Sequence, residues 1–151
     1  MGMRTTIYGY IEEMDFWGEP ISNQVLEYNL KVFNSLPEGD EWPPLSKEMF
    51  AVCKNIKGAG GPNFEYRGRI IHFGANLKSI ELDWLVWKIK FENFLSRLFF
   101  IEAVVHFRPE YAAIQTNEWS VDLLKYKIKH DGEMPDAIKK EHWMYESTWE
   151  K

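Results

Sequence analysis

Residues 82–107 change their hydrophobic period partway along, and the rest of the chain can be organised around this stretch. In its first half apolar residues recur at steps of three and four, which predicts an amphipathic helix with one wide apolar stripe. From Phe99 onward the step falls to two, which predicts a strand whose faces alternate. The predicted stripe, which we expect to be core, consists of Trp84, Trp87, Phe91, Phe94, Leu95 and Leu98.

The predicted strand has two chemically different faces. One face is apolar and would pack against the helices. The other is mixed, and would be partly open to solvent. The first face holds Phe99, Ile101, Ala103, Val105 and Phe107. The second holds Phe100, Glu102, Val104, His106 and Arg108.

Period and turn signals also predict the elements on either side. Residues 5–12 alternate as a first strand, and Ser22 or Asn23 would cap a helix that Pro37 ends. Ser79 would be the N-cap of the central helix. Further strands are predicted at residues 48–55, 65–77 and 111–119, with a Gly-rich turn at 57–63.

The last thirty residues are less regular. Residues 121–129 fit an edge strand guarded by lysines, and they also fit a helix. The segment after Pro135 could form a short amphipathic helix. We therefore separate a core of about residues 4–120 from a C-terminal extension at 121–151.

This order of elements predicts one α+β domain spanning residues 1–151. The sheet would be antiparallel with two main helices on one face. The first six elements follow the ferredoxin-like order, βαββαβ, and an extra strand and the C-terminal segment come after them.

The charge of the chain argues for a basic partner. The net charge is −5, and the first 50 residues hold nine acidic against three basic residues. A phosphate backbone would be repelled by most of this surface, so nucleic-acid binding is not expected. A basic protein would be attracted to the acidic N-terminal third.

Cysteine content and hydropathy indicate a cytoplasmic protein. Cys53 is the only cysteine, so neither an intramolecular disulfide nor a thiolate zinc site can form. No run of residues has the length of a membrane span, and no secretory signal is recognised at the start. No metal, cofactor or membrane association is expected from the motifs present.

If the protein is an enzyme, the mixed face of the central strand is the best candidate for its site. Glu102, His106 and Arg108 would share that face, and His72 and Tyr8 could join them from neighbouring strands. Four residues of strand span roughly 13 Å, which is too far for a direct bond between Glu102 and His106. A half-exposed sheet face without catalysis explains the same pattern.

A protein-binding surface is the alternative use of these residues. Acidic residues surround aromatic ones near residues 12–19 and 40–42, as an anchor for a basic partner would require. The predicted contact residues are Tyr8, Tyr10, Glu13, Asp15, Trp17, Asp40, Glu41 and Trp42.

The layout of three segments adds a resemblance. GYIEE lies near the start, YRGRIIHFGANLKSIE precedes the Trp-rich helix, and FFIEAVVHFRPEY follows it. Over about residues 4–120 this layout is similar to that of small uncharacterised bacterial proteins of the toxin-immunity type. The resemblance implies a compact, acidic α+β protein of the cytosol that blocks a toxin by binding it.

Three functional hypotheses follow. The first is a non-enzymatic interaction protein that binds a basic partner, such as a toxin that it neutralises. The second is a small-ligand binder or enzyme that uses the open sheet face. The third is a structural homodimer formed through the sheet face or the C-terminal segment.

Overall fold

A computed structural model describes residues 3–14, 21–53, 70–127 and 134–150. Within these ranges the chain forms six strands and two α-helices. The strands are β1 Arg4–Glu13, β2 Phe50–Cys53, β3 Ile70–Lys78, β4 Phe100–Pro109, β5 Gln115–Val121 and β6 Trp143–Trp149. The helices are α1 Ile21–Asn34 and α2 Trp84–Leu95. No helix in the described ranges is long and apolar enough to cross a membrane.

The six strands form one open antiparallel sheet in the order β2-β3-β1-β4-β5-β6. Both helices pack on the same face, because Phe33 of α1 and Phe94 of α2 each contact Phe50 of β2. The predicted α+β class, with an antiparallel sheet and two helices on one face, is therefore confirmed.

The aromatic stripe of α2 holds this helix on the sheet, as the period predicted. The Trp84 and Trp87 rings stack 5.4 Å apart, and the Trp87 and Phe91 rings stack 5.3 Å apart. Phe91 then contacts Phe73 of β3 and Trp119 of β5 at centroid distances of 5.3 and 5.2 Å. All six stripe residues are buried, so the prediction that they are core is confirmed.

The start of α2 differs from the prediction. Ser79 has a positive φ of 60° and precedes a 3₁₀ turn without a side-chain capping bond, whereas the N-cap position of α2 is Asp83. It turns the chain after β3, and its N–H donates to the Met3 carbonyl at 2.8 Å. A 3₁₀ turn, Ile80–Leu82, follows, and the α-helix begins only at Trp84.

The end of the chain also differs. Residues 143–149 form β6 instead of the expected amphipathic helix: Trp143, Tyr145 and Trp149 lie on one face of a strand that pairs with β5 over its whole length. Residues 122–127 form turns, so neither reading of 121–129 holds for them. The predicted Gly-rich turn and the start of the predicted strand 65–77 lie outside the described residues.

Phe100 does not lie on the open side of β4 as its position in the alternation suggested. The register between β1 and β4 shifts after Glu12, which faces Glu102, so that Glu13 faces Phe100. Such a bulge turns the side chains beyond it to the other face. Phe100 is consequently fully buried.

A buried amide ties α1 to this bulge. Asn29 donates to the Glu13 carboxylate at 3.0 Å and to the Phe99 carbonyl at 2.9 Å, and it accepts from the Phe99 N–H at 2.8 Å. One side chain thereby joins α1, β1 and the start of β4. Since Asn29 is only 1 % exposed, these bonds compete little with water.

We predict that Gly9→Ala strongly destabilises the protein. A Cβ at Gly9 would lie 1.9 Å from the Val104 carbonyl oxygen and 3.0 Å from the Phe73 ring. The nearest atom is backbone, so β1 and β4 would have to separate. We expect a loss of about 3 kcal/mol or more in the free energy of unfolding, measured with urea.

Gly74→Ala on β3 is the matched control. A Cβ there meets its nearest atoms at 3.6 Å, which is ordinary contact. We expect a change within about 0.5 kcal/mol. Similar losses for both variants would show that the close approach at Gly9 is not what limits the sheet.

Tyr126 makes stability depend on alkaline pH. Its hydroxyl donates to the Asp136 carbonyl at 2.7 Å, and burial, followed by the Asp136 charge, raises its pKa from 10.0 to about 12. Unfolding therefore releases the proton above pH 10. The contribution is complete below pH 10 and is lost as pH rises to 12, amounting to roughly 2 to 3 kcal/mol.

We predict that Tyr126→Phe removes this part of the pH dependence. Urea unfolding at pH 8 and at pH 11.5 should show a smaller alkaline loss for the variant than for the unsubstituted protein. An equal loss in both proteins would mean that other groups cause the alkaline instability.

Candidate functional site

The sheet face turned away from the two helices, here called the open face, carries most of the polar side chains of β1, β4 and β5. Neighbouring residues form rows across the strands. Tyr8 faces His106, which faces Thr116, and in the next row Tyr10 faces Val104, which faces Glu118. This alternation follows from the period-two pattern of each strand.

Four glutamates of the open face, here called the glutamate cluster, come from four different strands. Glu12 of β1 lies directly opposite Glu102 of β4. Glu118 of β5 lies directly opposite Glu146 of β6. Like charges in directly opposed positions destabilise a sheet, so the free protein keeps an electrostatic cost on this face.

Tyr10 lies within the glutamate cluster. Burial raises its pKa, and the charges of Glu102, Glu12 and Glu118 raise it further in that order. Its hydroxyl hydrogen bonds to Glu102. Tyr10 therefore stays protonated and serves as a hydrogen-bond donor on an acidic surface.

The next row holds an aromatic pair. The Tyr8 and His106 rings lie 4.8 Å apart at 34°, and His106 Nδ1 lies 2.9 Å from the Thr116 hydroxyl. The ring of His106 is thus oriented by one neighbour on each side. The pair forms a flat, partly exposed platform beside the glutamate cluster.

The residues proposed for catalysis share the open face but do not assemble. Tyr8 and His106 are in contact, whereas His72 lies opposite Tyr10 and Arg108 lies opposite Thr6. Among the described residues no hydrogen bond joins His106 to a carboxylate. The described residues of this face therefore form an aromatic and acidic surface.

The predicted partner-contact residues fall on two opposite sides of the sheet. Tyr8 and Tyr10 belong to the open face. Asp40, Glu41 and Trp42 belong to a loop that packs on α2, on the helix side. Asp15 and Trp17 lie outside the described residues.

Glu13 is not available to a partner. It is 1 % exposed and accepts a hydrogen bond from Asn29. Alternation along β1 places it on the helix side of the sheet, on the same face as the buried Ile7 and Ile11.

The acidic loop on α2 is used to hold the fold. The N–H of Leu45 and the ammonium of Lys90 both bind Asp40 at 2.9 Å, and they lower its pKa in that order. Lys90 also donates to the carbonyls of Glu41 and Pro43. The negative charge of Asp40 is therefore neutralised within the molecule.

Trp42 is also bonded within the molecule, because its indole N–H donates to Asp83 at 2.8 Å. The ring itself is 49 % exposed. It can contact a partner only on the helix side, separately from Tyr8 and Tyr10.

A second uncovered surface was missed from the sequence. The solvent side of α2 is also apolar, through Leu85, Val86 and Ile89, and the preceding turn exposes Leu82. A cavity of about 420 Å³ lies between α2 and β6, with Leu85 on one wall and Trp149 on the other. The sequence could have indicated this surface, since apolar residues occur on all sides of the N-terminal half of this helix.

No group of three or more His, Cys, Asp or Glu side chains in the described ranges is placed to hold a metal ion. No protein-family model, no curated protein and no solved structure matches the chain.

We predict that Glu118→Lys stabilises the free protein. The substitution replaces a repulsive pair with Glu146 by an attractive one. We expect a gain of about 0.5 kcal/mol in urea unfolding at low salt, which shrinks at high salt.

Glu38→Lys is the control, because Glu38 is also exposed and lies outside the sheet. It makes the same charge change without a cross-strand partner, so it should show no gain comparable to that of Glu118→Lys. Equal gains from both variants would assign the effect to net charge and not to the cross-strand pair.

Proposed function

We propose that this chain is a non-enzymatic interaction protein that binds a basic protein partner through its open face. The observation that carries the proposal is that two pairs of glutamates, Glu12 with Glu102 and Glu118 with Glu146, occupy directly opposed positions on the sheet face turned away from the helices. A partner that supplies Lys or Arg side chains would remove this repulsion on binding.

Aromatic residues give the same face its anchors. Tyr8 is held by its contact with His106, and Tyr10 by its bond to Glu102, so both are ordered before a partner arrives. Ordered tyrosines beside charged groups lose little conformational entropy on binding, which makes them suitable for a hot spot. The aromatic platform would supply affinity, and the glutamate cluster would supply attraction and orientation.

We further propose that the partner is a toxin that this protein neutralises. This step rests on the resemblance to immunity-type proteins, and the acidic face suits a basic toxin. A cytoplasmic location belongs to the same proposal, and the single cysteine supports it. We also propose a ferredoxin-like relationship for the first four strands, which their order β2-β3-β1-β4 supports.

A capture experiment with matched variants tests the proposed surface. The immobilised protein, Glu118→Lys and Glu38→Lys would each be exposed to extract from the source cell at low salt. We expect the unsubstituted protein and Glu38→Lys to retain one basic protein. Retention by Glu118→Lys should fall about tenfold or more, and high salt should release the protein.

Three outcomes would contradict the open-face proposal. The retained protein could be acidic, it could resist high salt, or it could bind Glu118→Lys as well as Glu38→Lys. Because we expect Glu118→Lys to be slightly more stable than the unsubstituted chain, loss of binding could not be attributed to unfolding.

A further inference from the structure

We infer that β6 is a dimerisation edge through which two copies of this chain join their sheets. The two β6 strands would run antiparallel, with Ser147 opposite its own copy. This inference concerns the edge of the sheet, and it does not depend on the partner proposed for the open face.

The hydrogen-bonding pattern shows which groups of β6 are free to pair. At one end the Glu150 N–H donates to the Ile114 carbonyl, and at the other the Asp122 N–H donates to the His142 carbonyl. Even-numbered residues of this segment therefore bond to β5. In an antiparallel ladder the alternate residues point their N–H and C=O groups the other way. Those of Trp143, Tyr145, Ser147 and Trp149 point to the outer edge, where no described strand pairs with them.

Within the described ranges this edge lacks the usual protection against pairing. Exposed edges are commonly blocked by Lys, Pro, a bulge or a covering segment. β6 contains neither Lys nor Pro, and its register with β5 is regular over all seven residues. Residues 144–149 are all exposed. A long, regular and unguarded edge is a template for another strand.

The side chains of the same residues make one side of this edge apolar. Trp149 is 60 % exposed, and it lines the cavity shared with Leu85 of α2, which is 70 % exposed. Tyr145 is fixed in this cavity, because Lys88 lies 4.0 Å from its ring centre and its hydroxyl hydrogen bonds to Asn117. Continuous exposed apolar surface beside a free edge is typical of a protein interface.

Symmetry limits how two β6 strands can pair. A two-fold axis perpendicular to the sheet places one residue opposite its own copy, and that residue defines the register. With Ser147 on the axis, Tyr145 of each copy lies opposite Trp149 of the other. Glu146 then lies opposite Thr148 and not opposite a second carboxylate. Both exposed aromatics of β6 gain an aromatic partner.

The neighbouring registers are less favourable. With Glu146 on the axis, two carboxylates would be directly opposed. With Thr148 on the axis, Glu146 would face Glu150. With Tyr145 on the axis, Trp149 would lie past the end of the paired segment and would gain no aromatic partner. The strand is thus complementary to itself in one register, and this selects a second copy as the occupant of the edge.

Disulfide trapping tests the register. The native cysteine would first be removed by Cys53→Ser. Ser147→Cys would then be added as the single cysteine of the chain. Hydrogen-bonded antiparallel partners have Cα atoms about 5.5 Å apart, within the range of a disulfide. We expect mild oxidation at low protein concentration to give a covalent dimer that a reductant dissolves.

Thr148→Cys in the same background is the matched control. In the inferred register its own copy lies diagonally across the seam, with Cα atoms roughly 8 Å apart, which is too far for a disulfide. We expect little covalent dimer from it. Equal yields from both cysteines would overturn the register.

Sedimentation equilibrium tests the dimer itself. We expect the unsubstituted chain to show about twice its monomer mass of 17.9 kDa. Trp149→Lys removes both Tyr145–Trp149 pairs of the dimer and places a lysine on each edge, so it should weaken the dimer about 30-fold or more. Tyr111→Lys, which changes another exposed aromatic outside β6, should not. A monomer at all concentrations up to about 0.5 mM, where even weak dimers form, would overturn the inference.

Discussion

The packing of the α2 aromatic stripe on the sheet is the interaction on which the rest of the structure depends. Trp119 connects this stripe to β5, because its buried ring contacts Phe91 and its indole N–H donates to Glu92 at 3.0 Å. Losing a buried Trp of this kind typically costs about 3 to 5 kcal/mol. Without that contact, β5 and β6 would be held mainly by pairing with β4 and by the Lys88–Tyr145 contact. The stripe therefore determines which face is covered, which is open, and how far the sheet extends.

Both proposed interaction surfaces, the open face and the β6 edge, follow from this arrangement. Covering one face leaves the acidic residues of β1, β4, β5 and β6 together on the other. Extending the sheet beyond α2 leaves β6 as an edge with Trp149 and Tyr145 beside an apolar cavity. The two surfaces meet at β6 but differ in chemistry, since one is acidic and the other apolar. A dimer through β6 would place two open faces side by side in one continuous sheet. Each dimer would then present two copies of the glutamate cluster.

Local patterns predicted the parts of the fold that depend on nearby residues. The buried stripe of α2 and the open-face positions of Glu102, His106 and Arg108 were predicted correctly, because each prediction needs only the period of one segment. The opposed glutamates were not predictable, since the pairing of Glu118 with Glu146 requires the strand order and register. Phe100 was misplaced because one bulge in β4 reverses the alternation beyond it, whereas Glu13 follows the alternation of β1 to the buried face. Asp40 and Trp42 were predicted to be free for a partner. In the structure they bind Lys90 and Asp83, which are too distant in sequence for a local pattern to reveal.

The central claim is that the open face, and not the helix side, meets the partner. In-cell photo-crosslinking from two matched tyrosines tests it most directly. Tyr8 lies on the open face and Tyr28 lies on α1, and each would be replaced by the photoreactive analogue p-benzoylphenylalanine. The account predicts a crosslinked adduct with a basic protein from position 8 and none from position 28. An adduct from position 28 alone, or an acidic protein bound at position 8, would contradict it.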